Sequence, residues 1–240
     1  MSEEKKEQET TTEQTTTEEQ QAAAEPAAKK KKWPIIVGVI VIVVAVAGIG
    51  FWNWHNQPTF CNAFCHESMN AYVETYEQDA NTQGTDKWGN AVSNTNAMLA
   101  VTHKEAGVNC LGCHVPTITQ QLTEVSETIT GDYYYPLEEV GTKALQANSG
   151  HDDSSGDQFC LKSGCHDMTR EDLTQATSGM SFNPHRWQHG ETECSECHKS
   201  HRASVFYCTQ CHSEAAAAMP DGWVNYSEGQ QLEKNSVNAS

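Results

Sequence analysis

Hydrophobic positions are unevenly spread along this 240-residue chain. Residues 1–28 are rich in Glu, Gln, Thr and Ala and carry no aromatic side chain. They offer too little apolar surface to offset the entropy of ordering, which predicts a disordered tail over residues 1–32 ending in the basic cluster Lys29 to Lys32. From Ile35 to Trp52 the chain then runs eighteen residues without a charge. As a helix that run is about 27 Å long, close to the thickness of a bilayer's hydrocarbon layer. The pattern predicts one transmembrane helix over residues 33–54. Trp33 at one end, with Trp52 and Trp54 at the other, sit where interfacial aromatic belts occur. The lysines lie only on the N-terminal side, which predicts a cytoplasmic N-terminus and a C-terminal portion on the outer side of the cytoplasmic membrane. A cleavable signal peptide competes with this reading, because Ala45 and Ala47 form a small A-x-A pattern. A secretory apolar region of about 7 to 15 residues is shorter than this one, which favours a retained anchor. The run Val41 to Val44 would suit a buried strand, but no second strand-like run exists to pair with it.

Beyond residue 54 the apolar residues are scattered, and neither helical nor alternating periodicity persists. The pattern predicts a mainly α domain with much irregular structure over residues 55–222, and a polar, flexible tail over 223–240. Helical stretches are expected at Met69 to Asp79 and around Ala215 to Ala218. So thin an apolar set must pack around disulfides, metals or a large cofactor. Charge sharpens the picture: 32 acidic against 15 basic residues give a net charge of -17. That balance excludes nucleic acid as a partner and suits docking to a protein with a basic patch.

The candidate chemistry lies in ten cysteines and eleven histidines. The cysteines form five pairs, each followed at once by histidine: Cys61, Cys65 and His66; Cys110, Cys113 and His114; Cys160, Cys165 and His166; Cys194, Cys197 and His198; Cys208, Cys211 and His212. Three pairs have two spacer residues, the first has three and the third has four. C-x-x-C-H is the attachment signature of haem c, because two adjacent thiols can form thioethers to one porphyrin while the histidine reaches its iron. The longer loops keep both ends of the motif and enlarge only the bulge between the thiols. Five disulfides would use every cysteine but leave the five following histidines unexplained, and structural zinc usually takes two compact ligand pairs. Five covalently bound haems are the expected cofactors.

Six histidines remain. His103, His151, His185, His189 and His201 are candidate sixth ligands. His189 and His201 lie too close to their own motif to serve it easily, so they are expected to ligate neighbouring haems. For each of these histidines the plainer alternative is an exposed loop side chain. His55, at the membrane exit beside Trp54, is expected to be an interfacial side chain without iron. Met69, soon after His66, is a candidate ligand of the first haem, with gap-filling in a core as the alternative. Tyr133, Tyr134 and Tyr135 before Pro136 are candidates to line a haem or quinone pocket, with packing against porphyrin the commoner role.

With its short anchor, the stretch Cys65 to Tyr76 and the stretch Thr102 to Pro116, the chain resembles the NapC/NirT family of membrane-anchored multihaem quinol dehydrogenases. Cys61, Cys65, His66 and Met69 match the family's first site, and His103, Gly107, Val108, Cys110, Cys113, His114 and Pro116 match its second. The resemblance implies an electron conduit from the membrane quinol pool to an extracytoplasmic reductase in anaerobic respiration. The family places lysines for quinol soon after the second motif, whereas Thr117 to Thr130 holds no basic residue, leaving Glu124 and Asp132 as candidates there. Two other functions fit the motifs: a terminal reductase with one open coordination position, and a membrane-tethered shuttle fed by a protein donor.

Overall fold

The computed structural model describes residues 32–65, 69–132, 139, 141–142, 156–186 and 188–237. The chain divides into two compact units, residues 1–45 and 46–240. Helix α1, Trp33–His55, begins in the first and ends in the second. Its mean hydropathy is 2.9, it buries none of its residues, and it is long and apolar enough to cross a membrane.

In the second unit, the end of α1 turns at Asn56 and Gln57 into the single turn α2, Pro58–Phe60. Proline at the first helical position is favoured because its missing N–H would have had no partner. Phe60 is buried against the rings of Trp54 and His55, at centroid distances of 5.0 and 4.8 Å. A π-helical turn, Cys61–Cys65, follows. Helix α3, Asn70–Glu77, lies within the stretch expected to be helical and packs against α4, Leu99–Glu105. Between them, β1 (Gly84–Thr85) and β2 (Ala91–Val92) pair antiparallel. The turn joining them is closed by the Asp86 carboxylate, which accepts from the backbone N–H groups of Trp88 and Asn90 at 2.9 and 2.8 Å.

Three short helices, α5 (Cys110–Cys113), α7 (Gly156–Cys160) and α9 (Cys194–Cys197), carry motif cysteines, while α6 (Ile118–Thr130) and α8 (Arg170–Ala176) lie between them. α6 opens with a reciprocal cap between Thr117 and Gln120 and stops at Gly131, whose φ of 72° suits glycine. The region Ala215 to Ala218, expected to be helical, lies in a 3-10 segment, Ser213–Ala218.

The segment after Trp223, expected to be a loose tail over 223–240, is structured in its described part, up to Val237. Strand β4, Val224–Asn225, pairs in parallel with β3, Val205–Phe206, and α10, Tyr226–Val237, continues from it. Polarity misled the reading there: α10 makes its closest approach through a glycine, where a Cβ at Gly229 would come within 2.7 Å of Val205. The core at this junction is small, formed by Val92, Ala97, Met98, Val101 and Ala203 with Trp223 and Val224 against it. Residues 199–206 thread through it. Leu99 N–H donates to Lys199 O at 2.9 Å, Ser204 N–H to Ala97 O at 2.9 Å, and Val224 N–H to Ser204 O at 2.9 Å. The run after the fourth motif is thereby locked between α4 and β4.

Candidate haem-binding site

The motif histidines are positioned by one recurring hydrogen bond. In the four motifs whose histidine is described, the histidine N–H donates to the carbonyl of the first cysteine. The distances are 2.8 Å for His114 to Cys110, 3.2 Å for His166 to Cys160, 2.9 Å for His198 to Cys194 and 3.0 Å for His212 to Cys208. The third motif closes this bond despite its two extra residues, which are absorbed in a turn containing Gly164 at φ 84°. The enlarged loop therefore leaves the two ends of the motif in the same relation. His66, His151 and Tyr133 to Pro136 fall outside the described residues.

Three of these histidines face a histidine from outside the motifs. Ring centroids are 6.0 Å apart for His103 and His166, 6.2 Å for His185 and His198, and 6.3 Å for His189 and His212. Two imidazoles bound to opposite sides of one metal at about 2 Å would have ring centres about 6.3 Å apart. The residues present thus fit a bis-histidine iron at each of these three places. His201 lies near His114, close enough for the two charges to interact.

The hydrogen bonds also fix the tautomer. His103 Nδ1 lies 2.8 Å from the Leu99 carbonyl, which can only accept, so Nδ1 carries the proton. Thr75 Oγ1 donates its proton to Tyr72 O at 2.8 Å, so His201 Nδ1, 2.7 Å away, donates to the threonine. Thr177 Oγ1 spends its proton on Asn183 Oδ1 at 2.6 Å or Leu173 O at 2.8 Å, so His185 Nδ1 at 3.2 Å is again the donor. Each arrangement leaves Nε2 with a bare lone pair, the form in which imidazole binds a metal. Burial keeps the rings neutral as well. It depresses His114 and His185, brings His198 down to about 4 with help from His185, His166 and His103, and brings His201 down to about 3.

The thiols report how the motifs are arranged in space. The Cys61 thiol hydrogen-bonds Cys110, and Cys160 hydrogen-bonds Cys194. The first bond, together with burial, pushes Cys61 up, and against the effect of burial it holds Cys110 down at about 7; the second bond raises Cys160 and lowers Cys194. Cys113 feels the charge of Cys165, and Cys197 that of Cys208. Consecutive motifs are therefore spatial neighbours from the first to the fifth, an order that spacing along the chain does not reveal. No group of three or more His, Cys, Asp or Glu converges on one metal-sized point among the described residues, in keeping with ligands supplied in opposed pairs.

Other expected positions fare differently. Glu124 lies near Cys61, on the helix α6 that packs against Cys61–Cys65, and burial raises its carboxyl. Asp132 sits just past the end of α6, its N–H donating to Glu127 O at 3.1 Å. Met69 caps the start of α3, with no partner histidine shown opposite it among the described residues. His55, expected as an interfacial side chain, is half-buried among Phe51, Trp52 and Phe60, and its Nδ1 is buried without a hydrogen-bond partner. Thr75 and Thr177 carried no signal in the sequence, since the Thr75 contact joins residues 126 positions apart.

Residues 102–213, which contain the second to fifth motifs, match the cytochrome c3 family. The chain is 58% identical over 200 residues to cytochrome c-type protein Cgr1 of Eggerthella lenta, a span of 83% of this chain and 90% of that one. It is 33% identical over 70 residues to probable fumarate reductase Ifc3 of Shewanella frigidimarina, 25% of this chain and 12% of that one. No solved structure gives a significant match.

Proposed function

Because this chain belongs to the multihaem c-type cytochromes of the cytochrome c3 type, whose covalently bound haem c serves electron transfer, we propose that it is a membrane-anchored pentahaem conduit. It takes electrons from quinol in the bilayer and passes them singly to an extracytoplasmic reductase. The observation that carries this reading is the row of neighbouring motifs, three of them with a second histidine at the separation expected of paired axial ligands. Haem c when bound supplies the one-electron chemistry. The chain's own work is to hold and orient. Cys61 with Cys65, Cys110 with Cys113, Cys160 with Cys165, Cys194 with Cys197 and Cys208 with Cys211 would anchor the five groups, and the adjoining histidines would supply the proximal nitrogens.

On the distal side, His103 would complete the third site, His185 the fourth, His189 the fifth and His201 the second. Met69 and His151 are the proposed choices at the first. Donation from each Nδ1 to Leu99 O, Thr75 or Thr177 keeps His103, His201 and His185 from turning away and makes their Nε2 a stronger ligand. Glu124, raised by burial beside Cys61, would accept a proton from quinol and release it outward. α1 would hold the chain in the cytoplasmic membrane with its N-terminus inside, where Lys29 to Lys32 lie. The resemblance to quinol dehydrogenases of the NapC/NirT kind supports the same assignment.

A tethered shuttle fed by a protein donor is the second reading, favoured by the lack of any basic residue from Thr117 to Thr130. Reduction of the purified full chain by a menaquinol analogue separates the two. The conduit is reduced by quinol alone, whereas the shuttle stays oxidised until a donor protein is added. A pyridine haemochrome assay should return five irons per chain, and the ferric spectrum should be low-spin throughout. A high-spin signal that shifts on adding nitrite would instead indicate an open coordination position and a terminal reductase.

A further inference from the structure

Past α1, the large apolar side chains that stand open among the described residues are Val115, Ile118, Leu122, Ile129 and Met168. All but Met168 belong to α6 or to the run leading into it. Ile118 is 78% exposed, Leu122 66% and Ile129 79%, comparable with α1 itself, where Ile35 is 69% and Val44 65% exposed. A single exposed leucine needs no explanation, whereas a contiguous row does. On a helix of 3.6 residues per turn, Ile118, Leu122, Val125 and Ile129 fall within about 60° of one another and span about 17 Å of the axis. Glu124 and Glu127, the acidic residues of α6, lie on its opposite half and are half-buried. Glu124 is near enough to Cys61 for their charges to interact. The helix thus rests its polar side on Cys61–Cys65 and leaves the apolar row uncovered.

The position of α6 selects what covers that row. It belongs to the same compact unit as Val46–His55, the last turns of α1. Three ties hold α5 and α6 close to where α1 ends. Asn109 Nδ2, just before α5, donates to Asn56 O at 3.2 Å, the Cys110 and Cys61 thiols are hydrogen-bonded, and α6 packs on Cys61–Cys65. Trp52 and Trp54 mark the level of the interfacial aromatic belt there. A headgroup layer is about 5 to 8 Å deep and a helix about 10 Å across, so a helix docked this close to a membrane exit lies within reach of the lipid. The row carries no charge and Thr117 to Thr130 holds no basic residue, so apolar burial, not attraction to anionic headgroups, is what α6 offers.

We propose that α6 is a second membrane contact, lying in the interfacial layer beside α1 with Ile118, Leu122 and Ile129 turned toward the acyl chains. The proposal rests on the reading of α1 as a membrane helix and extends it. A single spanning helix leaves the domain free to swing about its exit, whereas two contacts would hold Cys61–Cys65 at the lipid surface, where quinol arrives.

The test labels the full haem-loaded chain in phosphatidylcholine vesicles with two diazirines, one confined to the acyl phase and one charged and confined to water. Carbene adducts are then read by mass spectrometry. The lipid-phase reagent should mark Leu122 and Ile129 at least about fivefold more than the aqueous one, and should still do so in about 1 M salt, since no basic residue takes part. Ile129→Glu should lower lipid-phase labelling of Ile118–Thr130 at least about fivefold, with labelling of Trp33–His55 and the haemochrome count unchanged. If that variant does not mature, the two labels on the wild type decide by the same criterion. Adducts chiefly from the aqueous reagent overturn the proposal. So does protection from both reagents, which would mean that a porphyrin or a second copy of the chain covers the row. Either result leaves the membrane reading of α1 standing where Trp33–His55 takes the lipid-phase label, and an unlabelled Trp33–His55 brings down both.

Discussion

Two regions carry histidines of the proposed sites, and they are held by opposite means. Residues 97–101 and 202–206 contain most of the buried core: Met98 and Val101 are fully covered, and Arg202 and Ser204 are buried with them. From Asp157 to His198, by contrast, no described residue is buried. That stretch is kept in shape by polar contacts. Arg170 pairs with Asp157 and donates to Thr192 O at 2.8 Å, Thr174 donates to His185 O at 2.8 Å, and Asn183 donates to Thr174 O at 2.7 Å. The first region can place His103 and His201 through its own packing, whereas the second has too little apolar contact to hold His185 and His189 alone. Porphyrins are the apolar bodies that would complete it.

The largest test of this contrast is to withhold haem. In a chain expressed without haem attachment, amides of residues 157–198 should exchange at nearly unfolded rates while those of Ala97 to Val101 and Arg202 to Phe206 stay protected. Uniform exchange across both regions would break the comparison. Next in size, Met98→Ala should cost about 2 to 5 kcal/mol of stability in guanidinium unfolding, against about 1 kcal/mol for Leu173→Ala on the half-buried side of α8. Gly222→Ala should cost about 1 to 3 kcal/mol, since the glycine holds φ at 80° and a Cβ there would lie 2.4 Å from Asn94 O. The finest distinction lies between two threonines. Thr75→Ala leaves His201 Nδ1 buried without an acceptor, at about 1 to 3 kcal/mol, while Thr177→Ala beside the more open His185 should cost less than about 1 kcal/mol. Equal losses in the two variants would mean that burial does not separate the sites.

The apolar helix α1 and the motifs were legible because their signals are local: an uninterrupted apolar run, and cysteine spacings that close on a histidine through one backbone bond. The enlarged third loop followed the same rule, its ends unchanged. What stayed hidden was long-range. Nothing in the spacing tells which spare histidine meets which motif, because His103 faces His166 and His201 lies near His114 across stretches of chain with no periodicity. The C-terminal segment was misread for a related reason. Tyr226–Val237 is polar in composition, and its attachment depends on the strand pairing of Val224 with Val205 and on a glycine contact, neither of which raises apolar content. Lys199 and Arg202, flanking His201, both pair with Glu139, a contact that bridges 60 or more residues and leaves no trace in local spacing.

The crossing of partners between motifs bears on how such a chain would mature if, on the proposed topology, residues 1–32 stay inside and the segment after α1 crosses the membrane in chain order. On the proposed pairing, His103 has already emerged when Cys165 and His166 arrive, so the third site can be completed at once. The second site must wait for His201, long after His114 has crossed. A partly exported chain would therefore present His114 without its proposed partner histidine until residues 199–206 slot between α4 and β4.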